Sequence, residues 1–585
     1  MNILIFFLIC QSKSYQVMLD SDSAIYLSNE LEEVLSAKSN FIYDFIILKG
    51  ETYFTDGKNL YLKDKIIYQG EDKNIFALTT DGQYFYFGLN PESMVLKGEK
   101  DKIVKEYQIP ASNILRLIST KDEIYIGTSY PAIIYQLFKK KILAEINDEN
   151  VSALTYFKDT LFIGTAKKGY LYCLPIKGKL KLLYDCAEEE IKDIVVKDNF
   201  LYFITNDENK LPILYSFDRT KKELKEVFTF PCSTLYSLQL KADTLIVAGS
   251  SNCLYKIIPE KNYFILLGFD GELISKVFIL KDEIYLATSL PAKIYRLKKE
   301  LAKEGIYLSP IIDLNLISQF GNLEIEKELP LFTSCQVSVR SGASNIIDET
   351  WSDFIKVKDK KMNIPDNRYF QYKIELKREK GAKGPIIKKV RYFYRHLNQP
   401  PKIKGIKIFP DSQNPRIKEI QWEAKDPNSC SLLTKIYYKI SGDKNWFFLD
   451  ETKENEYKLM GEKFPDGYYQ IKLVVSDEIC EPKEAVLKDS IISKEFLIDN
   501  TPPKIIAFEK KDNKIKLKVV DSLSIIKNCQ YSIDNEKEEK ILPIDKIFDD
   551  KEEEFLLEIK KDRFLLNVII TDEYLNEKRY NWLIK

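Results

Sequence analysis

A single histidine, His396, stands in 585 residues, and its scarcity removes most side-chain chemistry that needs an imidazole. Ser–His and Cys–His nucleophile pairs have no imidazole to draw on within residues 21–300, and a zinc site built on two histidines has none to spare anywhere in the chain. His396 sits in YRHLNQPP at a module exit, where the expected role is a strand-end linker residue. Tryptophan is nearly as rare. Trp351, Trp422, Trp446 and Trp582 all follow residue 350, so the first 300 residues could stack a sugar only on Tyr or Phe. An excess of one charge is missing too: 88 basic and 88 acidic side chains cancel, in mixed runs such as DKEEE at 550–554. A nucleic-acid binder would show a basic face, so no nucleic-acid partner is expected. No stretch reaches 18 consecutive apolar residues, and no integral membrane span is expected. Dinucleotide and Walker phosphate loops, an EF-hand loop and clustered Cys-x-x-Cys pairs are absent, which leaves no cofactor to predict.

What the chain does have is repetition. KDEIYIGTSYPAIIYQL at 121–137 returns as KDEIYLATSLPAKIYRL at 281–297, identical at 12 of 17 positions after 160 residues, four times a 40-residue unit. The repeated apolar core appears as TYFTD, FYFGL, IYIGT, LFIGT, LYFIT, LIVAG and IYLAT, centred on Phe54, Phe87, Ile126, Ile163, Phe203, Val247 and Leu286. Each is followed by a second run centred on Tyr61, Leu96, Tyr135, Tyr172, Tyr215, Tyr255 or Tyr295. Runs of about five residues, rich in β-branched and aromatic side chains between Asp, Gly, Asn and Lys turns, read as strands, and helical solenoids would need longer 3.6-period faces. Four such strands per unit of about 40 residues describe a propeller blade. The expectation is an all-β chain with a seven-bladed β-propeller over residues 21–300. The last unit lacks its fourth strand, and either AIYLS at 24–28 or LEEVLS at 31–36 closes it, removing an exposed edge.

Past residue 300 the β segments lengthen and the period disappears. Pro-Pro pairs at 400–401 and 502–503 mark stiff junctions that central strands do not tolerate. Residues 403–498 have the strand count and turn spacing of an immunoglobulin or fibronectin type III sandwich, with Trp422 as a core aromatic. WSDFIKV, NRYFQYKIEL and PIIKKVRYFYRHLNQPP, then IQWEAKDPNSC, FPDGYYQIKLVVSD, FLIDNTPPKI, VVDSLSIIKNCQYSIDN and TDEYLNEK, together resemble a family. That family comprises secreted bacterial β-propeller proteins (WD40-like or YVTN-like repeats) of unassigned function, carrying C-terminal jelly-roll and fibronectin type III or immunoglobulin-like modules. The resemblance implies a jelly-roll-like β-sandwich at 301–398, a fibronectin type III-like domain at 399–499 and an immunoglobulin-like domain at 500–585.

Nine cysteines include Cys430 and Cys480, at departures from the family phrases, and a bridge between them is left open by the sequence. Cys173, Cys186, Cys232 and Cys253 read as small apolar residues in or beside propeller strands. The start, MNILIFFLIC, lacks a charged n-region, and Ile9 before Cys10 suits lipoprotein cleavage poorly, so residues 1–20 are expected to be a short or truncated signal segment. Together with the resemblance, this predicts an extracytoplasmic bacterial protein, whether periplasmic, secreted or on the cell surface. The alternative is a cytoplasmic protein with an apolar first strand.

Recognition in a propeller is expected on the loops that join second to third strands and fourth strands to the next first strand. The candidate ligand-binding residues there are Asn90, Glu92, Tyr130, Lys167, Lys168, Asn206, Asp207, Asn252 and Leu290, while Pro131 and Pro291 set turns. Tyr130 and Leu290 occupy equivalent places in near-identical repeats. No catalytic, cofactor or metal residues are predicted. The expected function is non-enzymatic recognition or scaffolding of a protein or polysaccharide partner. Two alternatives remain open: a carbohydrate-active enzyme using paired carboxylates, and the sensory module of a signalling receptor.

Overall fold

A computed structural model describes residues 14–269 and 271–585, so residues 1–13 of the expected signal segment lie outside the described residues. The described chain is all β, and its single helical element is the 3-10 turn Gly461–Lys463. It divides into two bodies, Met1–Arg395 and His396–Lys585.

Seven antiparallel quartets of strands follow one another in the described part of the first body. The second quartet is Asn74–Thr80, Phe85–Asn90, Met94–Glu99 and Lys102–Gln108, paired in that order. The seventh takes Leu273–Leu280, Glu283–Ser289 and Lys293–Leu301 from its own stretch and Asn29–Ser36 from the N-terminal side. Of the two segments the sequence left open, 31–36 therefore completes the last quartet.

Local pattern explains the hairpins. The aromatic positions picked out by the repeat face the centres of the preceding strands: Tyr61 lies opposite Phe54, Tyr135 opposite Ile126, Tyr172 opposite Ile163, and Tyr215 opposite Phe203. Cross-strand pairs of this kind are the unit of sheet stabilisation. Phe85–Asn90 and Ile124–Ser129 are buried along their whole length, because neighbouring quartets cover both faces and leave no wet side to alternate with.

Each apolar cluster is shared by two successive quartets. One joins Ile46 and Tyr53 to Phe85 and Phe87, the next joins Tyr86 and Val95 to Ile114 and Ile126, and so on to Tyr285 and Ile294, which meet Phe45 and Phe54 of the first quartet. The first strands likewise adjoin one another in a cycle that returns from Leu273–Leu280 to Asp44–Leu48. Close approach between quartets needs small residues. A Cβ on Gly88, Gly127 or Gly164 would sit 2.6, 2.5 or 2.6 Å from Ile114, Val151 or Ile191 of the next first strand.

An N-terminal hairpin joins this array to the remainder of the body. Val17–Asp20 pairs with Asn262–Leu267 of the sixth quartet, and its partner Ile25–Leu27 pairs with Ile386–His396. The segment 24–28 thus serves as a clasp. One continuous cluster holds Leu238 and Val247 of the sixth quartet with Val339, Ile374 and Ile387.

In the second body, Lys402–Pro410, Ile417–Lys425 and Glu456–Met460 form one sheet that shares a core with the sheet built on Leu433–Ile440 and Gly467–Ser476. Trp422 is in that core, as expected. A disulfide joins Cys430 to Cys480 across 50 residues. A second pair of sheets, on Lys514–Val520 and on Phe564–Asp572, encloses Leu517, Phe555, Leu566 and Val568.

Candidate functional site

The first strands of the quartets carry charge where an apolar strand would not be expected to. Five of them slip register at the same place, between Ile114 and Arg116, Val151 and Ala153, Ile191 and Asp193, Leu235 and Ser237, and Ile274 and Lys276. A bulge bends the strand and re-aims the side chains beside it. Here they reach the next quartet: Asp193 Oδ2 accepts the Leu238 N–H at 2.8 Å, Ser237 Oγ accepts the Val277 N–H at 3.1 Å, and Ser152 Oγ donates to Ile191 O at 2.8 Å. Asp44 Oδ2 does the same for the Leu78 N–H at 3.1 Å. The second oxygens of Asp44 and Asp193 accept the N–H groups of Phe45 and Ile194, each at 2.9 Å.

Cations complete this girdle. Lys276 Nζ lies 3.3 Å from Asp44, and Lys192 Nζ lies 3.1 Å from Glu190. Arg116 Nη2 donates to Lys192 O at 3.4 Å, reaching from the third quartet to the fifth. Asp193 retains some accessible surface, yet the protein packed around it pushes its carboxyl above the usual range, against the pull of Lys276, the Leu238 amide and Arg116. Burial also works against the Glu190 carboxylate, but Lys192, the Asn206 amide and Arg116 outweigh it and hold its pKa below the ordinary value. Three acids, Asp44, Glu190 and Asp193, thus stand against three bases, and their carboxylates are already engaged. Sequence reasoning missed these residues; the signal was a charge inside an apolar first strand, as in NILRLIS and LISKVFIL.

The predicted loop residues divide into two groups. Asn90 and Asn206 are buried and turned into the protein: Asn90 Oδ1 accepts the Ile114 N–H at 2.6 Å while Nδ2 donates to Ile114 O at 3.2 Å. Asn206 treats Leu235 in the same way, at 2.9 and 3.1 Å. Each amide therefore latches one quartet to the backbone of the next. Asp207 accepts the Asn209 N–H at 2.9 Å and faces Lys210 at 3.4 Å, and half-buried Asn252 accepts the Cys253 thiol at 3.7 Å.

The others reach solvent. Tyr130, 59 % exposed, donates its hydroxyl to Glu149 at 3.2 Å. Lys168 Nζ donates to Asn147 O at 3.2 Å, Lys167 is exposed beside it, and Glu92 pairs with Lys73 at 2.8 Å. Second-to-third-strand loops are thus tied to fourth-to-first-strand loops. Tyr130 and Leu290 share a left-handed backbone conformation, with φ of 49° and 57°. Leu290 donates its N–H to Asn40 O at 2.8 Å, which places it beside the loop carrying exposed Phe41 and Tyr43. The Tyr43 ring packs on Phe76, with centroids 5.9 Å apart. These aromatics were not singled out from the sequence, although SNFIYDF at 39–45 is dense in them.

A cavity of about 470 Å³ opens beside the N-terminal clasp, against Leu19, Ile25, Ile387 and the rings of Tyr307, Tyr372 and Tyr392. Burial, above all, pushes the Tyr307 hydroxyl up to about 12 and Tyr372 well above its ordinary value. Both phenols stay neutral at physiological pH and interact with each other, and Asp22, Lys388 and Lys389 also line the cavity.

No known protein family matches the chain, and no curated protein does. Solved structures show loose similarity. A computationally designed protein is matched at TM-score 0.36 and 10% identity, over 49% of this chain and 94% of that one. BamB from Moraxella catarrhalis is matched at TM-score 0.34 and 11% identity, over 46% and 100%. The extracellular domain of a protein described as a hybrid two component system, from B. thetaiotaomicron, is matched at TM-score 0.38 and 11% identity, over 95% and 98%. Scores of this size carry no functional argument.

Proposed function

We propose that the chain is a non-enzymatic extracytoplasmic recognition or scaffold protein, in which the seven quartets are blades of a closed propeller that binds a protein or glycan partner through its loops. The stretch 301–398 is then a jelly-roll-like module, and the second body a fibronectin type III-like domain followed by an immunoglobulin-like one. The observation that carries this reading is the division of labour among polar groups. Buried Asn90, Asn206 and Asp44, with half-buried Asp193, fasten neighbouring quartets through backbone hydrogen bonds, whereas Tyr130, Leu290, Phe41 and Tyr43 stay exposed on loops held by that frame. Exposed aromatics on a rigid support contact a partner at low entropic cost. The Cys430–Cys480 disulfide supports export, since such bonds persist in oxidising compartments.

The test is a glycan and peptide array probed with the full chain and with Tyr130→Ala and Leu290→Ala variants. Binding weakened by at least about tenfold in a loop variant is the expected result, the size of a modest interface contact. Binding untouched by both, and by Tyr43→Ala, would remove recognition from these loops. Turnover of any glycan would favour a carbohydrate-active enzyme instead.

A further inference from the structure

Three strand ends of the second body each deliver one aspartate to a common point. Asp499 follows Phe496–Ile498, Asp521 follows Lys514–Val520, and Asp572 ends Phe564–Asp572. Their exposures are 1 %, 4 % and 0 %, and one oxygen from each lies within 4.8 Å of the other two.

In every one of them Oδ1 accepts backbone N–H groups of its own loop. Asp521 Oδ1 accepts the N–H groups of Leu523 and Ser524 at 2.8 and 2.9 Å, Asp572 Oδ1 accepts those of Tyr574 and Asn576 at 2.8 Å each, and Asp499 Oδ1 accepts that of Thr501 at 3.1 Å. The second oxygens are different. Asp499 Oδ2 and Asp521 Oδ2 are shut off from solvent and accept no hydrogen bond, and Asp572 Oδ2 has only the Asn576 amide, at 2.8 Å. The Ser524 hydroxyl lies near both Asp521 and Asp499, but its one proton can satisfy only one oxygen. Asn500, next in the chain, also leaves a buried Oδ1 without a partner.

An orphaned buried acceptor destabilises the fold, and does so more when ionised. The charges that bear most on Asp499 are those of Asp521 and Asp466, and on Asp572 that of Asp499. Carboxylates gathered without a cation repel one another unless one takes up a proton, and the strands hold these together. A cation resolves the conflict.

We propose that Asp499, Asp521 and Asp572 bind one calcium ion, which ties the two sheet pairs of the second body together. All the available ligand atoms are oxygens, with no imidazole or thiolate, which selects a hard cation. Their spacing suits an ion about 2.3–2.6 Å from each oxygen, and calcium accepts irregular shells where magnesium asks for an octahedron. The placement sets the consequence. Asn500 Nδ2 donates to Gly461 O and Phe464 O of the first sheet pair, at 3.2 and 2.9 Å, while Asn576 Nδ2 donates to Asp499 O at 3.0 Å from the second. Ion binding would fix the linker that carries Asp499 against both.

The experiment uses the full chain, stripped with EDTA, titrated with CaCl2 and in parallel with MgCl2 by calorimetry, with thermal unfolding in both conditions. One calcium per chain and a raised unfolding midpoint are expected, with affinity at least about tenfold weaker in Asp521→Asn and Asp572→Asn. In EDTA these variants should be as stable as the parent or more so, because each removes like-charge repulsion. No binding heat and no midpoint shift up to about 10 mM CaCl2, well above the range of extracellular calcium modules, would overturn the proposal. So would undiminished binding in both variants, magnesium binding as tight as calcium, or variants destabilised equally in EDTA and in calcium.

Discussion

Asp193 in the first body and Asp521 in the second are aspartates held among strands, and their surroundings are opposite. Both oxygens of Asp193 accept backbone N–H groups, from Ile194 and Leu238, and Lys276 and Arg116 act on it as cations. Asp521 places one oxygen on two N–H groups and leaves the other bare, with Asp499 and Asp572 as company. A carboxylate whose two oxygens are each answered by the chain acts as a fastener. One whose inward oxygen is left unanswered, among like charges, has the features of a receptor for something the chain does not supply.

The contrast can be strained from several directions. The largest effect should come from the covalent link. Cys430→Ser or full reduction of Cys430–Cys480 opens a 50-residue loop and should cost the second body about 4 kcal/mol. Differential hydrogen exchange should show protection lost there and retained in the quartets. Next comes the fastener itself: Asp193→Ala strands the Leu238 N–H and should cost the first body about 3 kcal/mol, read as faster exchange at Ile194 and Leu238. If Asp521→Asn in EDTA did equal damage, the distinction between the two aspartates would collapse.

A smaller effect is expected with pH. Burial, and then Lys241, press the Lys256 ammonium down to about 8, and its Nζ donates a hydrogen bond to Asn29 Oδ1 at 2.9 Å. Between about pH 8 and pH 10 the unfolded chain holds this proton and the folded one does not, so stability rises with pH across that window, by about 2 kcal/mol. Urea melts at pH 8 and pH 10 should show the gain, and Lys256→Met should lack it. Smallest is Tyr130→Ala, within about 0.5 kcal/mol of the parent in the same melts, since an exposed loop ring contributes little to folding.

Much of the fold was legible because the information is local. Phe54 and Tyr61, Phe203 and Tyr215, or Leu286 and Tyr295 are each separated by one short turn, so a repeat read along the chain already names residues that end up opposite one another. Asn90 and Asn206 show where such reading stops. As polar residues at strand ends they resemble loop contacts, and only the neighbouring first strands, 24 and 29 residues away, reveal them as latches. The aspartates at 499, 521 and 572 were present in the phrases FLIDNTPP, VVDSLS and TDEYLNEK, but nothing in those phrases says that they converge.

Taken alone, the sequence determined an all-β chain with tandem hairpin units, a change of texture after residue 300, and the exclusion of sites that need two histidines. These follow from composition and from periods of a few residues. The tertiary structure decided which N-terminal strand closes the last quartet, which polar side chains are fasteners, that Cys430 meets Cys480, and that three distant carboxylates share one point. Each of those depends on contacts between residues far apart in the chain, set by the packing of whole sheets rather than by any run of neighbours.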